Sequence, residues 1–466
     1  MRDLATVLPP RRRGTAPDLF DVLDVGTSRA VEVWLDRTPD RTTRTRQVSD
    51  LSDAQVRALV DLLEPATAAA LLGSLDPFAA ADVVHVVPPA VGSALVGSLE
   101  PDDAAELLRA VPDDERDALL AAMGVARAAV VRGLLAWPED CAAARMNPDV
   151  LTVQPTMTVR EAVGTLRAQP RARDTGSEVY VTSATAGATA GAALIGAVSF
   201  WDLVLAAPDR LVADVMREDV VSVDPAADRE VAAQVLRSHR LAAVPVVDGG
   251  RLLGELTAAD VADIVEQEST EDAERQGGAE PLDVPYLRAS PLMLWRKRVV
   301  WMLALFAAEM YTGTVLRAFE DELSTVIALS FFIPLLIGTG GNTGTQVTAT
   351  LIRAMALGQV RLRDVGRVLR KELSTGALVA LTIAAAGWLR AWTLGVGPGV
   401  ACTVAVAAAA IILWSSLVGS VLPLVLRRVG IDPAVVSGPM ITTLVDGTGL
   451  IIYFEIAKLF ISGLGT

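Results

Sequence analysis

The sequence has few of the residues that build disulfide frameworks and soft-metal sites. It contains two cysteines, Cys141 and Cys402, and two histidines, His85 and His239, in 466 residues. Two cysteines this far apart form no disulfide framework or thiolate cluster, which fits a reducing compartment for the polar part of the chain. Two isolated histidines argue against an imidazole-rich zinc or copper site. The first thirteen residues have no apolar core, so no secretory signal is predicted.

Long apolar runs are missing from the first 290 residues and are concentrated in residues 291–466. The apolar part has 14 basic and 9 acidic residues, whereas the first 290 residues have 27 basic and 46 acidic ones. Such an acidic region repels nucleic acid and suits cation binding, although many proteins are acidic only for solubility. We therefore expect a polar, acidic region followed by a membrane region, and no nucleic-acid partner.

Short helical repeats follow a weakly patterned start. Residues 1–50 are rich in Arg and Thr, Val31–Leu35 fits a short strand or a helix, and no role is predicted for them. Residues 51–140 repeat units such as LEPATAAALLGSLDP and LEPDDAAELLRAVPDD. Proline beside an acidic residue suits a helix start, and Leu, Val and Ala then recur at helical spacing. Because such units bury a core only by stacking, we predict an α-helical solenoid.

A different repeat occupies residues 141–265. The order strand, helix, strand, strand, helix occurs twice, from VLTVQP to FWDLVLA and from VVSVDP to AADVADIVEQE. An insertion at Thr182–Ala193, rich in Ala, Gly and Thr, predicts a flexible loop in the first copy. The stretch VPVVDGGRLLGELTAADV resembles a CBS domain, which indicates a regulatory α/β CBS pair. Nucleotide binding by this pair is left open, because no firm phosphate cradle is visible.

Residues 266–290 are predicted to form a connecting helix and linker. The segment is polar and helical to about Gln276, and Gly277, Gly278 and Pro281 then mark a break.

Five apolar segments follow, each long enough for a hydrocarbon core of about 30 Å. They lie at residues 293–317, 323–352, 373–394, 399–426 and 435–463. Basic residues cluster before the first segment and after the second and fourth, so the positive-inside rule predicts cytoplasmic N-terminal domains and an outside C-terminus. We expect a multi-pass protein of the plasma membrane, which is the inner membrane in a cell with two membranes. Five helices are few for enclosing a pore, so a homodimer with a pore on its two-fold axis is expected.

The second apolar segment contains Pro334 and four glycines, which predict a broken helix at membrane depth. Broken backbone there is tolerated where it is buried in protein or lines a water-filled cavity. The polar side chains of Asn342 and Gln346 then become candidate cation ligands. The alternative is that Gly340 and Gly344 form a packing seam between helices.

The fifth apolar segment contains Asp446. An intramembrane carboxylate is a candidate functional group, and a hard cation such as Mg²⁺ suits its oxygens. Thr442 and Thr443 can assist as further oxygen ligands, and the alternative is a structural Asp bonded to a threonine. Asp432, at the start of the segment, fits a carboxylate at the pore mouth, or an N-cap or surface residue.

Two further intramembrane acids are Glu309 and Glu455. Glu309 fits a position near the pore or a pair with a basic residue, and we expect a structural role for Glu455.

The stretches PLLIGTGGNTGTQVTATLIRAMALGQV and GIDPAVVSGPMITTLVDGTGLIIYF resemble the most characteristic parts of MgtE magnesium transporters. The domain order is also similar: a helical N domain, a CBS pair, a connecting helix and an all-α membrane domain of five helices. The resemblance implies a homodimeric channel for Mg²⁺ influx with its ion site at Asp446.

The resemblance also implies that intracellular Mg²⁺ closes the pore by bridging acidic residues of the cytoplasmic domains. The candidate bridging residues are Asp102, Asp103, Glu106, Asp248, Asp260, Glu266, Glu268, Glu271 and Asp272. Each of them alone also fits a solvated surface acid. The chain departs from the family pattern at Gly447, where a bulkier residue is common, so gating and selectivity can differ.

Three alternative functions can be weighed against a Mg²⁺ channel. An enzyme is not expected, because the sequence has no nucleophile elbow or Walker motif. A CBS-regulated scaffold without transport would need neither Asp446 nor a broken second segment. A transporter of Co²⁺, Mn²⁺ or Ni²⁺ would keep the same architecture, although all-oxygen ligands favour Mg²⁺.

Overall fold

The computed structural model describes residues 18–168, 178–183, 192–461 and 464. The chain divides into two compact units, residues 1–266 and 267–466. The boundary between them falls inside a long helix, after Glu266.

The described part of the first unit begins with ten short helices. They are α1 Leu19–Val25, α2 Ser28–Arg37, α3 Arg41–Ser49, α4 Asp53–Asp61, α5 Pro65–Leu72, α6 Pro77–Val86, α7 Pro89–Gly97, α8 Pro101–Arg109, α9 Asp113–Ala122 and α10 Val125–Leu135. From α4 to α10 the helices start at regular intervals of twelve residues. Helices α5 to α8 each begin with proline, whose fixed φ suits the first helical position and whose missing N–H costs no hydrogen bond there. The predicted helical N domain is confirmed.

Helices α1 to α3 share the core of these repeats. Trp34 of α2 is fully buried, and its indole N–H donates to Oε1 of Gln47 at 2.9 Å. The same oxygen accepts the backbone N–H of Leu19 at 3.0 Å. Val31–Leu35 lies within α2, so this stretch is a helix and not a strand. The first fifty residues, for which the sequence predicted no role, thus contribute a buried aromatic residue to the N-terminal core.

The CBS region follows with two copies of one strand and helix order. Its elements are α11 Ala142–Arg145, β1 Thr152–Val153, α12 Val159–Ala168, β2 Glu178–Thr182, β3 Leu194–Ser199, α13 Phe200–Leu205, α14 Arg229–His239, β4 Ala243–Asp248, β5 Arg251–Thr257 and α15 Ala258–Gln276. In the first copy β1 pairs with β2 in parallel, and β2 with β3 antiparallel. In the second copy β4 and β5 pair antiparallel, and a single parallel bridge from Val223 to Val246 stands where β1 stood.

Two predictions about this region have different outcomes. The connecting helix does end at Gln276, but it begins at Ala258 as the last helix of the second CBS copy. Most of the predicted flexible loop at Thr182–Ala193 lies outside the described residues.

The described part of the second unit contains five helical segments long and apolar enough to cross a membrane. They are Pro291–Ala318, Ile327–Ala356, Leu362–Thr393, Pro398–Arg428 and Gly438–Phe460. The α-helices are α16 Pro291–Ala318, α17 Glu320–Thr325, α18 Ile333–Ala356, α19 Val365–Thr393, α20 Pro398–Arg428 and α21 Gly438–Phe460. This agrees with the five predicted spans.

The prediction of a helix broken at the glycines of the second span is wrong, although the span changes from a 3-10 helix, Ile327–Phe332, to α18 just before Pro334. Helix α18 is continuous, because Pro334 lies in its first turn, where no helical hydrogen bond is lost. Its glycines allow close helix packing instead. A Cβ at Gly340 would lie 2.6 Å from Cγ2 of Ile411 in α20, and one at Gly344 would lie 2.5 Å from Cγ2 of Ile441 in α21. The alternative interpretation, a glycine packing seam, is the one that the structure supports.

Candidate metal centre

Asp446 lies in the third turn of α21, a helix long and apolar enough to cross a membrane. Ser437 is the N-cap of this helix, and its side chain accepts the backbone N–H of Met440 at 3.2 Å. Val445 and Gly447 on either side of Asp446 are buried. Oδ1 of Asp446 is also buried, and it has no hydrogen-bond partner among the described residues. The alternative of a structural Asp bonded to a threonine hydroxyl therefore has no support at this oxygen.

Thr442 and Thr443 lie one turn before Asp446 and are half-buried. Thr442 contacts α18, since a Cβ at Gly341 would lie 2.9 Å from its Cγ2. Its hydroxyl donates to the carbonyl oxygen of Gly438 at 3.1 Å, which leaves the oxygen lone pairs available to a cation.

Asn342 and Gln346 lie on an exposed face of α18. Thr339 and Thr350 extend the same stripe, and their hydroxyls donate to helix carbonyls at 2.6 and 2.8 Å. The stripe faces away from the packing seam, so the single chain does not bury the amides.

Asp432 acts as an N-cap. It accepts the backbone N–H of Ala434 at 2.8 Å, at the start of the 3-10 helix Pro433–Val435. Its other oxygen accepts from Nη1 of Arg275 at 2.6 Å. Of the alternatives that the sequence left open, the structure favours the capping residue.

Glu309 of α16 is an intramembrane acid for which the sequence left two positions open, near the pore or beside a basic residue. Its charge acts on the carboxyl of Asp446. Of the two alternatives for Glu309, the structure favours the position near the candidate ion site.

In the first unit, Asp102 of α8 and Asp260 of α15 form an acidic pair. Oδ1 of Asp102 is buried, and no donor in the described chain reaches it. Burial raises the pKa of Asp102 well above its usual value, and repulsion by Asp260 and Asp103 adds to this. Burial raises the pKa of Asp260 to about 6, against the effect of Thr257, whose N–H and hydroxyl donate to it at 2.6 and 2.9 Å.

Two acids absent from the predicted set also belong to this neighbourhood. Glu100 and Asp263 both raise the pKa of Asp260 by repulsion. Asp263 accepts from Nη1 of Arg41 at 2.8 Å, and Glu100 accepts from Nδ2 of Asn147 at 2.6 Å. The proximity depends on how α8 packs in the folded unit, so no local sequence signal marks it.

The remaining candidates of the first unit have separate surroundings. Glu106 accepts from Nη1 of Arg145 at 2.5 Å. Oδ2 of Asp103 lies 3.3 Å from the Cβ position at Gly73. Asp248 is exposed at the turn between β4 and β5, and Glu266 is exposed on α15.

The part of α15 in the second unit holds Glu268, Glu271 and Asp272. Glu271 accepts from Arg275 at 3.3 Å. Burial raises the pKa of Asp272 to about 6, and repulsion by Asp432 and Glu268 adds to the shift, while Arg275 and Arg353 oppose it. Across the ranges that the structure describes, no group of three or more His, Cys, Asp or Glu side chains is arranged to hold a metal ion. Among the predicted regulatory acids, Asp102 with Asp260 and Asp103, and Asp272 with Glu268, have acidic neighbours close enough to raise a pKa.

Comparison with known proteins matches three parts of the chain to family models. Residues 333–456 match the divalent cation transporter model MgtE, residues 43–140 the MgtE intracellular N domain, and residues 212–267 a CBS domain. The magnesium transporter MgtE of Thermus thermophilus is 38% identical over 334 residues, which cover 72% of this chain and 73% of that protein. The chain belongs to the MgtE family of magnesium transporters.

Other MgtE proteins are similar over the same extent. The magnesium transporter MgtE of Enterococcus faecalis is 34% identical over 339 residues, covering 71% of each chain. A solved cytosolic domain of the Mg²⁺ channel MgtE in complex with ATP is 30% identical, with a TM-score of 0.47, and covers 53% of this chain and 98% of that one. As a member of the MgtE family, the chain is a multi-pass membrane transporter with an intracellular N domain, not an enzyme.

Proposed function

We propose that the protein is a homodimeric channel that lets Mg²⁺ enter the cytoplasm past the carboxylate of Asp446. The observation that carries this is the buried Oδ1 of Asp446, which lacks a donor within the described residues. An ionised carboxylate inside a membrane helix costs about 2.5–3.5 kcal/mol on insertion scales. A passing divalent cation offsets that cost, and oxygen ligands suit Mg²⁺.

The dimer is supported by the polar stripe of α18. Asn342 and Gln346 are exposed in the single chain, although their helix is apolar enough to span a membrane. Amide side chains facing lipid have no hydrogen-bonding partner there. A second copy placed against this stripe removes the amides from lipid and encloses a polar path between the two chains. Asn342 and Gln346 then line the path, together with Thr442, Thr443 and Asp446.

The driving force is the membrane potential. With the N-terminal domains in the cytoplasm and the C-terminus outside, an inside-negative potential contributes about 2.3 kcal/mol per charge per 100 mV to inward movement. Passive influx therefore requires no coupled reaction in the protein.

Gating by intracellular Mg²⁺ is supported by the buried acids outside the membrane spans. Asp102 and Asp260 repel each other, and burial penalises the charge on both. Mg²⁺ bound between them neutralises the pair and fits the unpartnered oxygen of Asp102. Asp272, beside Asp432 and Glu268, offers a second acidic location. Asp103, Glu106, Asp248, Glu266 and Glu271 stay predicted ligands with weaker support.

Isotopic or dye-reported Mg²⁺ influx into proteoliposomes tests the transport proposal. We expect robust flux for the native chain and at least about a tenfold loss for Asp446→Asn, since the uncharged amide cannot offset the dehydration of a divalent ion. The matched control is Glu455→Gln, because Glu455 is paired with Lys458 at 3.1 Å. Native flux in Asp446→Asn vesicles would remove Asp446 from the ion path, and absence of flux in the native chain would favour a scaffold.

Binding of Mg²⁺ to the cytoplasmic acids is tested by limited proteolysis of the full chain with and without Mg²⁺. Protection that appears with Mg²⁺ in the native chain should require about tenfold more Mg²⁺ in Asp102→Asn, because one of two bridging charges is lost. Unchanged dependence in this variant would place the regulatory ion elsewhere.

A further inference from the structure

Helices α16 and α21 run parallel in a register that three contacts define. At the first contact, Nε1 of Trp301 donates to Oγ of Ser437 at 3.3 Å. At the second, Oγ1 of Thr312 lies 3.3 Å from the Cβ position at Gly447. At the third, the rings of Phe319 and Phe454 stack with their centroids 4.7 Å apart. Because the three pairs share nearly the same offset along the chain, the two helices stay side by side throughout.

This register places Glu309 beside Asp446. Glu309 lies three residues before Thr312, on the same face of α16, and Asp446 lies one residue before Gly447. At a rise of about 1.5 Å per residue, the two acids differ in height by only about 3 Å. The electrostatic effect of Glu309 on Asp446 agrees with this placement.

The hydroxyl oxygen of Thr312, between the two helices, also lacks a partner among the residues that the structure describes and could bind a ligand there. Thr312 is 7% exposed, and its Oγ1 is a buried atom with no hydrogen-bond partner in the described chain. A threonine in a membrane helix ordinarily donates to the carbonyl four residues before it, as Thr314 does to Met310 at 3.0 Å. The hydroxyl of Thr312 and Oδ1 of Asp446 are thus two unpartnered oxygens where α16 meets α21 at Gly447.

The close contact at this point depends on the glycine. A Cβ at Gly447 would lie 2.5 Å from two carbons of the Tyr311 ring. The ring therefore occupies the space that a side chain at position 447 would take, and this brings Thr312 and the turn carrying Glu309 against α21.

We propose that Glu309 is a second carboxylate of the cation site and that, with Thr312, it determines how tightly the site holds its cargo. This inference rests on the proposed role of Asp446. Two neighbouring carboxylates in a membrane repel each other, and a divalent cation between them removes that repulsion. Mg²⁺ keeps much of its water and is commonly bound through one or two carboxylates, which suits Asp446 and Glu309 with the Thr312 hydroxyl accepting from or replacing a water. Conduction requires release as well as binding. The second carboxylate therefore increases the affinity of the site for Mg²⁺ and lowers the rate at which the ion is released.

Mg²⁺ influx into proteoliposomes, measured over a range of external Mg²⁺, tests this role. Glu309→Gln should raise the half-saturating concentration about tenfold while the maximal flux is kept or increased, because one of two attracting charges is lost. Glu309→Asp keeps the charge and should restore most of the affinity. Thr312→Val, which has nearly the same shape, should raise the half-saturating concentration about threefold. Glu455→Gln is the control and should leave it unchanged.

The results separate this proposal from the one on which it rests. Native half-saturation in both Glu309→Gln and Thr312→Val overturns the role of Glu309, while loss of flux in Asp446→Asn keeps the transport proposal intact. A lower maximal flux at native half-saturation also overturns it, because that indicates a structural effect. If Glu309→Gln fails to fold, Thr312→Val and Glu309→Asp decide between the outcomes. A native half-saturating concentration in Thr312→Val contradicts the shared site. A raised half-saturating concentration in Thr312→Val, with a near-native one in Glu309→Asp, supports it.

Discussion

Asp102 in the first unit and Asp446 in the second both have a buried carboxylate oxygen without a partner in the described residues, but their surroundings differ. The acids around Asp102 and Asp260 include one that is paired with a fixed cation, since Asp263 accepts from Arg41 at 2.8 Å. The charged group that acts on Asp446 is another acid, Glu309. A regulatory site can include fixed cations that tune its affinity. At a conducting site, a fixed cation beside the carboxylate would compete with the cargo for it.

The largest effect should come from making the second site resemble the first. Glu309→Lys places an ammonium group beside Asp446, where it competes with the cargo, and we expect Mg²⁺ influx to fall by about a hundredfold or more. Flux into proteoliposomes measures this. Glu455→Lys is the matched control in α21, and equal losses in the two variants would contradict a specific effect at Asp446.

The next largest effect concerns the packing that holds α18 against the other membrane helices. In Gly340→Val, the new Cβ would lie 2.6 Å from Cγ2 of Ile411, which is too close for two carbon atoms. Overpacking of this kind costs about 1–3 kcal/mol. We expect a lower unfolding temperature in detergent and reduced flux. Gly338→Val is the control, because nothing lies within 4 Å of a Cβ at Gly338.

A smaller effect is expected from pH on the stability of the first unit. Its direction should be opposite to that produced by a salt-bridged acid. Burial raises the pKa of Asp260 to about 6 in the folded state, so the folded chain binds a proton at this carboxyl more readily than the unfolded chain does. The free energy of unfolding therefore increases as the pH falls through 6. The full effect is about 3 kcal/mol for a shift from 3.8 to about 6, but only about 1 kcal/mol of it falls between pH 8 and pH 5.5, which ranks it below the packing effect.

Proteolytic resistance of the first unit in the full chain, measured with EDTA between pH 8 and pH 5.5, checks this. The native chain should gain resistance on acidification, and Asp260→Asn should gain less. Added Mg²⁺ should protect the native chain more at the higher pH, where the carboxylates are ionised. A native chain that gains no more resistance on acidification than Asp260→Asn does would contradict the buried acidic pair.

The smallest effect is expected at the exposed pair of Arg275 and Asp432, which are joined at 2.6 Å but remain 33% and 42% exposed. Solvent screens such pairs, so Arg275→Gln should change the free energy of unfolding by less than about 1 kcal/mol. Thermal unfolding measures this, and a larger loss would show that Asp432 depends on Arg275 for more than a surface pair.

Periodic features of the chain were predictable from the sequence, and long-range contacts were not. The helical N domain, the five spans and the end of the connecting helix at Gln276 follow from apolar spacing and from proline and glycine positions. The break predicted at the glycines of α18 is wrong, because glycine weakens an isolated helix but permits close packing inside a helical bundle.

The candidate site shows the same limit. Asp446 was identifiable because a carboxylate in an apolar run is costly wherever the helix packs. The position of Glu309 depends on the register between α16 and α21, and the capping role of Asp432 depends on local turn geometry and on Arg275, which is distant in sequence. Neither relation leaves a periodic signal in the sequence.

The most direct test of the central claim, that Asp446 carries the cargo and Asp102 regulates, is Mg²⁺ influx measured against internal Mg²⁺ for the native chain, Asp446→Asn and Asp102→Asn. We predict that native flux decreases as internal Mg²⁺ rises, that Asp446→Asn conducts poorly at every internal concentration, and that Asp102→Asn conducts well but needs about tenfold more internal Mg²⁺ for the same inhibition. The account is contradicted if Asp446→Asn keeps native flux at low internal Mg²⁺, or if Asp102→Asn keeps the native dependence on internal Mg²⁺.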